Sequence, residues 1–357
     1  MKICIIIGDI TQKAGTERAV SSLCNGLLKY FPSDYEITII SVFSNFEDKP
    51  FYPLNSKVKI THLNKPFQYN SVTKIFWYSD LIQKVKKINE KEKFDYLLGT
   101  VYVFNVLLSL ITRGSQTKTI ACEHEIYEYP SKFTQIVRNQ VYAKFDKVVL
   151  LTQAEKNKFS FLKNTVIIPN SLPFVSNKKS NGTAKQIIAV GRLTYQKGFD
   201  ILIEIMKKVH QQAPDWKLNI YGEGEDFNAL QYQVEAEELT HIVHLKGSTQ
   251  NIADKYAENS IFVLTSRWES FGLVILEAMN SGLPVVSFDC DGPKSIIKDC
   301  ENGFLVPRFN TDEFANQMLQ LINNTEKRQK MSKKAIKDSQ NYDESHIISM
   351  WDNLFRN

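Results

Sequence analysis

The stretch from Ile261 to Val286 constrains this chain more than any other. An apolar run, Ile261-Phe262-Val263-Leu264, precedes Ser266-Arg267-Trp268-Glu269-Ser270-Phe271-Gly272-Leu273-Val274-Ile275-Leu276-Glu277-Ala278-Met279, and Ser281-Gly282-Leu283-Pro284-Val285-Val286 closes it. The order reads strand, tight turn, helix, strand. Ser270 stands where an N-cap belongs, Gly282 where a helix stops, and Pro284 lies just beyond. Glu269 then falls at the turn and Glu277 two turns into the helix. Short β-rich runs alternate with amphipathic stretches along the rest of the chain, which predicts a parallel α/β protein.

The two glutamates taken alone read first as a loop charge and a helix-surface charge. Their spacing also has a chemical meaning. Eight residues of helix rise about 12 Å, close to the length of a nucleotide diphosphate-sugar from its sugar to its ribose. Glu269 would then accept from sugar hydroxyls and Glu277 from the ribose. The backbone N–H groups of Phe271, Gly272 and Leu273, free at a helix start, would face the diphosphate.

Upstream, Gln186-Ile187-Ile188-Ala189-Val190 reads as a buried strand that ends in Gly191-Arg192-Leu193-Thr194-Tyr195-Gln196-Lys197-Gly198-Phe199. Asp200 then opens an amphipathic helix. Arg192 and Lys197 thus stand at the carboxyl end of a strand, where open α/β sheets bind ligands. A solvated surface loop fits the same residues equally well. If the ligand is a diphosphate, Arg192 can grip it bidentately.

Together these segments resemble glycosyltransferase family 4 (glycosyl transferases group 1), on Gly191, Arg192, Lys197, Gly198, Glu269, Phe271, Gly272 and Glu277. Asn219 to Gly224, Val243 to Gly247, Asp289 to Pro293 and Asn302 to Val306 resemble further strands and turns of that family, in order. The match is dense from about residue 165 to 310. The resemblance implies the GT-B architecture, an α/β fold of two Rossmann-like domains facing across a cleft. It implies a retaining enzyme that uses a nucleotide-sugar donor, without a metal or other cofactor. Arg192, Lys197, Glu269 and His124 become the candidate catalytic residues. Gly15, Gly191, Phe271, Gly272, Leu273 and Glu277 become the candidate nucleotide-binding residues.

Gly15 follows a first strand, Lys2 to Ile7, and precedes Thr16-Glu17-Arg18. The family has two glycines before its Glu-Arg pair, and here Ala14 replaces the first. No Gly-x-Gly-x-x-Gly is present, which argues against a dinucleotide dehydrogenase. His124 lies in Cys122-Glu123-His124-Glu125, after the strand Lys118 to Ala121. In the family a histidine at this place faces the donor sugar. Glu123 and Glu125 are expected to raise its pKa.

At 357 residues and 43% hydrophobic, the chain suits two globular domains. We expect residues 1–170 to form the acceptor-side domain, with helix 342–357 crossing back onto it. Residues 171–341 form the expected donor-binding domain, with Ser176 to Thr183 as a polar linker or loop. Five cysteines without a pairing pattern, and an apolar N-terminal run cut short by Gly8-Asp9, predict a cytoplasmic protein.

Residues 1–170 hold 23 Lys and Arg against 15 Asp and Glu, and the remainder 21 against 24. The basic first half interleaves cations with aromatics in Lys74 to Lys87 and in Ser131 to Lys147, where Phe133, Tyr142 and Phe145 stand. Both stretches fit either ordinary helices with core aromatics or contact with an anionic membrane surface at the inner face of the cell membrane. No recognition motif for nucleic acid accompanies them.

Asp289-Cys290-Asp291 has the form of a metal-binding Asp-x-Asp. Its late position, the following Gly292-Pro293, and the cations Arg192 and Lys197 weigh against metal dependence. The expected activity is transfer of a hexose or N-acetylhexosamine, from a UDP-sugar, to a glycan or lipid-linked glycan acceptor in surface polysaccharide biosynthesis. The alternatives are a sugar-nucleotide epimerase, a phosphorylase on the same architecture, or a non-enzymatic binding protein.

Overall fold

The computed structural model describes residues 1–66 and 71–357. The chain divides into two compact units, Met1–Ser171 with Glu344–Asn357, and Leu172–Asp343.

In chain order, the first unit runs β1 (Lys2–Ile7), α1 (Gly15–Tyr30), β2 (Glu36–Ser41), β3 (Lys59–His62), α2 (Ser71–Glu92), β4 (Tyr96–Gly99), α3 (Tyr102–Ile111), β5 (Lys118–Cys122), α4 (Lys132–Tyr142), β6 (Lys147–Leu150), α5 (Gln153–Lys158) and β7 (Thr165–Ile167). The second runs β8 (Gln186–Val190), α6 (Phe199–Gln212), β9 (Lys217–Tyr221), α7 (Phe227–Ala236), β10 (Val243–Leu245), α8 (Ile252–Ala257), β11 (Ile261–Leu264), α9 (Leu273–Asn280), β12 (Val285–Phe288), α10 (Asp291–Ile296), β13 (Gly303–Val306), α11 (Thr311–Asn323) and α12 (Thr325–Ser339). Helix α13 (Glu344–Arg356) returns to the first unit.

Among the described residues, each unit is built on one parallel sheet, ordered β3-β2-β1-β4-β5-β6-β7 in the first and β10-β9-β8-β11-β12-β13 in the second. The central strands are mainly apolar, and the two faces of β1 enter separate core clusters, as in a parallel sheet covered on both faces. One core cluster in the first unit gathers Ile3, Ile5 and Ile7 with Val20 and Leu27 of α1, and a second gathers Cys4 and Ile6 with Leu81, Leu108 and Phe159. The second unit's core joins Ile187 and Ala189 to Leu202, Met206, Phe288 and Phe314.

Helix α13 is amphipathic, and it buries Ile347, Ile348, Trp351 and Phe355 in the α1 cluster. Gly26 lets it approach, since a Cβ there would lie 2.5 Å from Ile348. The Tyr35 hydroxyl donates to Asp352 Oδ1 at 2.5 Å, and the Tyr96 hydroxyl to the Phe355 carbonyl at 2.7 Å.

Both sheets reverse strand order once, between β1 and β4 and between β8 and β11. Chain leaving the carboxyl ends at such a point diverges to opposite faces and opens a crevice. In the second unit the two segments leaving there are Gly191–Gly198 and Thr265–Gly272.

The two basic, aromatic stretches divide between core and surface. Ile75 and Phe76 are 72% exposed, as is Phe133 at 76%. Tyr142 and Phe145 instead pack in the core, the first of the two readings open for that stretch. No helix among the described residues is long and apolar enough to cross a membrane. All five cysteines are free thiols, and only Cys300 is exposed.

Candidate active site

The turn after β8 is assembled by glycines. Gly191 donates its N–H to the Tyr221 carbonyl at 3.0 Å, and Leu193 to that of Glu223 at 2.9 Å. Backbone meets backbone here. Gly222 has φ +150, and a Cβ on it would lie 1.8 Å from the Gly191 carbonyl oxygen. A Cβ on Gly224 would lie 2.2 Å from that of Leu193. The Gly-Glu-Gly turn after β9 therefore acts as the seat on which the Gly191–Leu193 segment rests.

A short 3₁₀ turn, Tyr195–Lys197, follows and ends at Gly198, whose φ is +63. Only glycine suits this place, since a Cβ would come within 2.2 Å of the Thr265 carbonyl oxygen. The Thr265 hydroxyl donates to the Gly198 carbonyl at 2.9 Å. The Lys197 stem lies over Gly191, where a Cβ would touch it at 3.4 Å. Arg192 is exposed, and its guanidinium has no partner among the described residues.

The segment after β11 supplies the acid. Glu269 is 7% exposed, and the Lys197 ammonium lies 2.5 Å from its Oε2. Two candidate residues, 72 positions apart in sequence, thus meet directly. Helix α9 begins at Leu273, with Gly272 as its N-cap at φ +92 and no side-chain cap. This corrects the expected start at Ser270, because the left-handed Gly272 takes the turn that a capping serine would have made. Glu277 is consequently only the fifth residue of the helix. The other end matches expectation. Gly282 adopts φ +86, and the bonds from Gly282 to Met279 and from Leu283 to Ala278 make a Schellman close.

Phe271 is buried, with its ring edge-on to Tyr342. What it offers a ligand is backbone. The N–H groups of Phe271, Gly272 and Leu273 have no acceptor among the described residues. Gly292, which was not a candidate, holds this segment in place. Its N–H donates to the Glu269 carbonyl at 3.0 Å, and a Cβ on it would come within 2.6 Å of the Phe271 backbone. The sequence signal was Gly292-Pro293, read only as a family match.

Glu277 is 1% exposed and accepts from the Tyr256 hydroxyl at 2.9 Å. Tyr256 was another residue the sequence did not single out. Asp289 accepts from the Arg308 N–H at 3.1 Å and pairs with Lys294 at 3.0 Å. The Cys290 thiol donates to the Ser266 carbonyl at 3.3 Å.

In the first unit, Gly15 is exposed at the start of α1, and a Cβ on it would meet nothing within 4 Å. His124 follows β5 and lines a narrow cavity of about 30 Å³ with Val20, Thr100 and Ser171. Burial lowers its pKa to about 4, so the imidazole is neutral at physiological pH. This corrects the expectation that flanking glutamates raise it. Glu123 is turned away, held by Asn105 at 3.0 Å, by Arg138 at 3.5 Å and by the Tyr142 hydroxyl. Burial, with Glu123 nearby, pushes Glu125 up to about 7, and its buried Oε2 has no hydrogen-bond partner among the described residues.

The family model for glycosyl transferases group 1 matches residues 174–338. The chain is 30% identical over 364 residues to the amylovoran biosynthesis glycosyltransferase AmsD of Erwinia amylovora, with 99% of each chain covered. It is 31% identical over 364 residues to an uncharacterized glycosyltransferase of Haemophilus influenzae, with 98% of each covered. Among solved structures, Alr3699/HepE of Anabaena in complex with UDP and glucose matches at TM-score 0.80 and 20% identity over 100% of both chains, a likeness of fold.

Proposed function

The chain belongs to the glycosyl transferases group 1 family and is a glycosyltransferase, and from that premise we propose that it is a retaining member of family 4. It moves a hexose or N-acetylhexosamine from a UDP-sugar to a glycan acceptor, a lipid-linked intermediate in surface polysaccharide assembly. The observation that carries this reading is the contact of Lys197 with Glu269, on the turn that also carries the exposed Arg192, at the point where the second sheet reverses.

The donor's diphosphate lies over Arg192, Lys197 and the N–H groups of Phe271, Gly272 and Leu273. As the sugar C1–O bond breaks, charge grows on the departing phosphate. Donors already in place stabilise it without reorganisation. The acceptor oxygen bonds to C1 from the same face, and its proton passes to the leaving phosphate oxygen, which retains configuration. Glu269 accepts from sugar hydroxyls while its second partner, Lys197, holds it in position. Glu277 takes the ribose hydroxyls as Tyr256 shares it. Gly15 admits backbone to phosphate, and neutral His124 orients the sugar or the acceptor. Two cations and a helix start do the charge work of a metal ion, so the enzyme is metal-independent.

The acceptor reading is supported by the biosynthetic role in AmsD's name and by the basic first unit. Exposed Ile75, Phe76 and Phe133 beside Lys74 and Lys132 suit peripheral contact with an anionic membrane at its cytoplasmic face. The test is thermal stabilisation, without metal, by UDP, GDP, ADP and dTDP and their sugars. A ligand at one hundred times its Kd adds about 2.7 kcal/mol. A shift selective for UDP is expected, and no shift with any nucleotide overturns the reading.

A further inference from the structure

The turn that carries Lys197 and the segment that carries Glu269 are fastened by a residue to which the motif gives no role. Arg267 grips Asp200 with both arms, Nη1 to Oδ1 at 2.9 Å and Nη2 to Oδ2 at 2.5 Å. The same Nη1 donates to the Tyr195 carbonyl at 2.6 Å, and the guanidinium lies 3.8 Å from the centre of the Tyr195 ring. Its backbone N–H donates to the Gln196 carbonyl at 2.8 Å. Gln196 answers with its side-chain amide on the Trp268 carbonyl at 3.2 Å.

These contacts bracket the two functional residues. Tyr195 and Gln196 directly precede Lys197, and Trp268 directly precedes Glu269. Asp200, in the first turn of α6, anchors the bracket to the rigid part of the unit. The guanidinium is committed to Asp200, the Tyr195 carbonyl and the Tyr195 ring, so it is placed to hold the turn rather than to meet a ligand. Lysine cannot replace it, because the planar fork and the stacked face are both in use.

We propose that Arg267 is a positioning residue for the donor diphosphate site, which holds the Lys197 turn in register with the Glu269 segment. This rests on the donor reading above. The consequence is coupling: without Arg267, Lys197 is misplaced and contributes little, so removing it then costs little more.

The experiment is a double-mutant cycle on UDP binding by calorimetry, with Arg267→Ala, Lys197→Ala and the pair. Each single change is expected to weaken UDP about tenfold, the loss of one charge-assisted contact. The pair should lose less than about threefold beyond either single change, where independent sites would multiply. Asp200→Asn keeps the stacking on Tyr195 and should weaken UDP in the same direction. It also replaces Arg267→Ala in the cycle if that variant does not fold. Multiplied losses, or unchanged affinity without the Arg267–Asp200 pair, overturn the inference while leaving the donor reading intact. A wild type that binds no UDP removes the donor reading and this inference with it.

Discussion

The Lys197 ammonium and the Glu269 carboxylate meet at 2.5 Å, and both side chains are largely buried. Each therefore sets the charge that the other presents to a ligand. Removing Glu269 leaves Lys197 as a cation without that counter-charge, on the same turn as Arg192. Glu269→Ala should keep UDP affinity within about threefold of wild type, or tighten it. If Glu269 accepts from the sugar hydroxyls as proposed, sugar transfer should fall by about a hundredfold or more, since those contacts and the placement of the sugar would be lost together. Calorimetry with UDP and a UDP-release assay on the preferred donor separate the two effects. A parallel loss of both would show Glu269 to be structural.

Glu277 and Tyr256 form a buried pair in which the phenol donates to the carboxylate. Tyr256→Phe removes the donor with little change of shape and should cost about 1 kcal/mol of stability. Glu277→Ala removes more, leaving the Tyr256 hydroxyl without this acceptor, at about 1–3 kcal/mol. Under the proposed donor reading, in which Glu277 takes the ribose hydroxyls, only Glu277→Ala should abolish UDP stabilisation in a thermal scan. Retained stabilisation in the alanine variant would place the ribose elsewhere.

The strand-turn-helix-strand unit was legible because apolar strands and Gly282 leave few alternatives. The meeting of Lys197 with Glu269 was not, although both residues were candidates, since nothing in residue order says which two turns of a sheet converge. Gly292 and Arg267 lay inside matched motifs without a role, because their work is backbone approach and a cross-turn fork. Ser270 misled because a good capping residue lost to a left-handed glycine two positions on. The His124 expectation failed for a similar reason. Its neighbours in sequence are carboxylates, but burial dominates, and Glu123 is spent on Arg138, Asn105 and Tyr142.

The glycines offer a test in opposite directions. Gly222→Ala must push a Cβ against the Gly191 carbonyl at a positive φ. It should cost about 1–3 kcal/mol or more and weaken UDP, because the displaced segment carries Arg192. Gly15→Ala meets nothing within 4 Å, so its stability should stay within about 0.5 kcal/mol of wild type. If backbone at Gly15 approaches a donor phosphate, turnover falls in this fully stable variant. Unchanged turnover would remove Gly15 from the site.

His124 and Glu125 make opposite contributions to stability across mildly acid pH. His124 is held near 4, below its ordinary 6.5, so between those values the unfolded chain binds the proton more readily. Its contribution is full above about 6.5 and is lost as pH falls towards 4. Glu125 is held near 7, above its ordinary 4.5, so the unfolded chain gives up its proton first. That contribution is full below about 4.5 and is lost as pH rises to 7. Wild type should therefore show a shallow net dependence over this window. His124→Asn leaves the Glu125 contribution uncovered, so stability should decline more steeply as pH rises. Glu125→Gln leaves that of His124, so stability should climb more steeply as pH rises. Urea unfolding at half-unit steps from pH 4 to 8 reads both slopes. Identical slopes in the two variants would mean that neither group titrates as its burial requires.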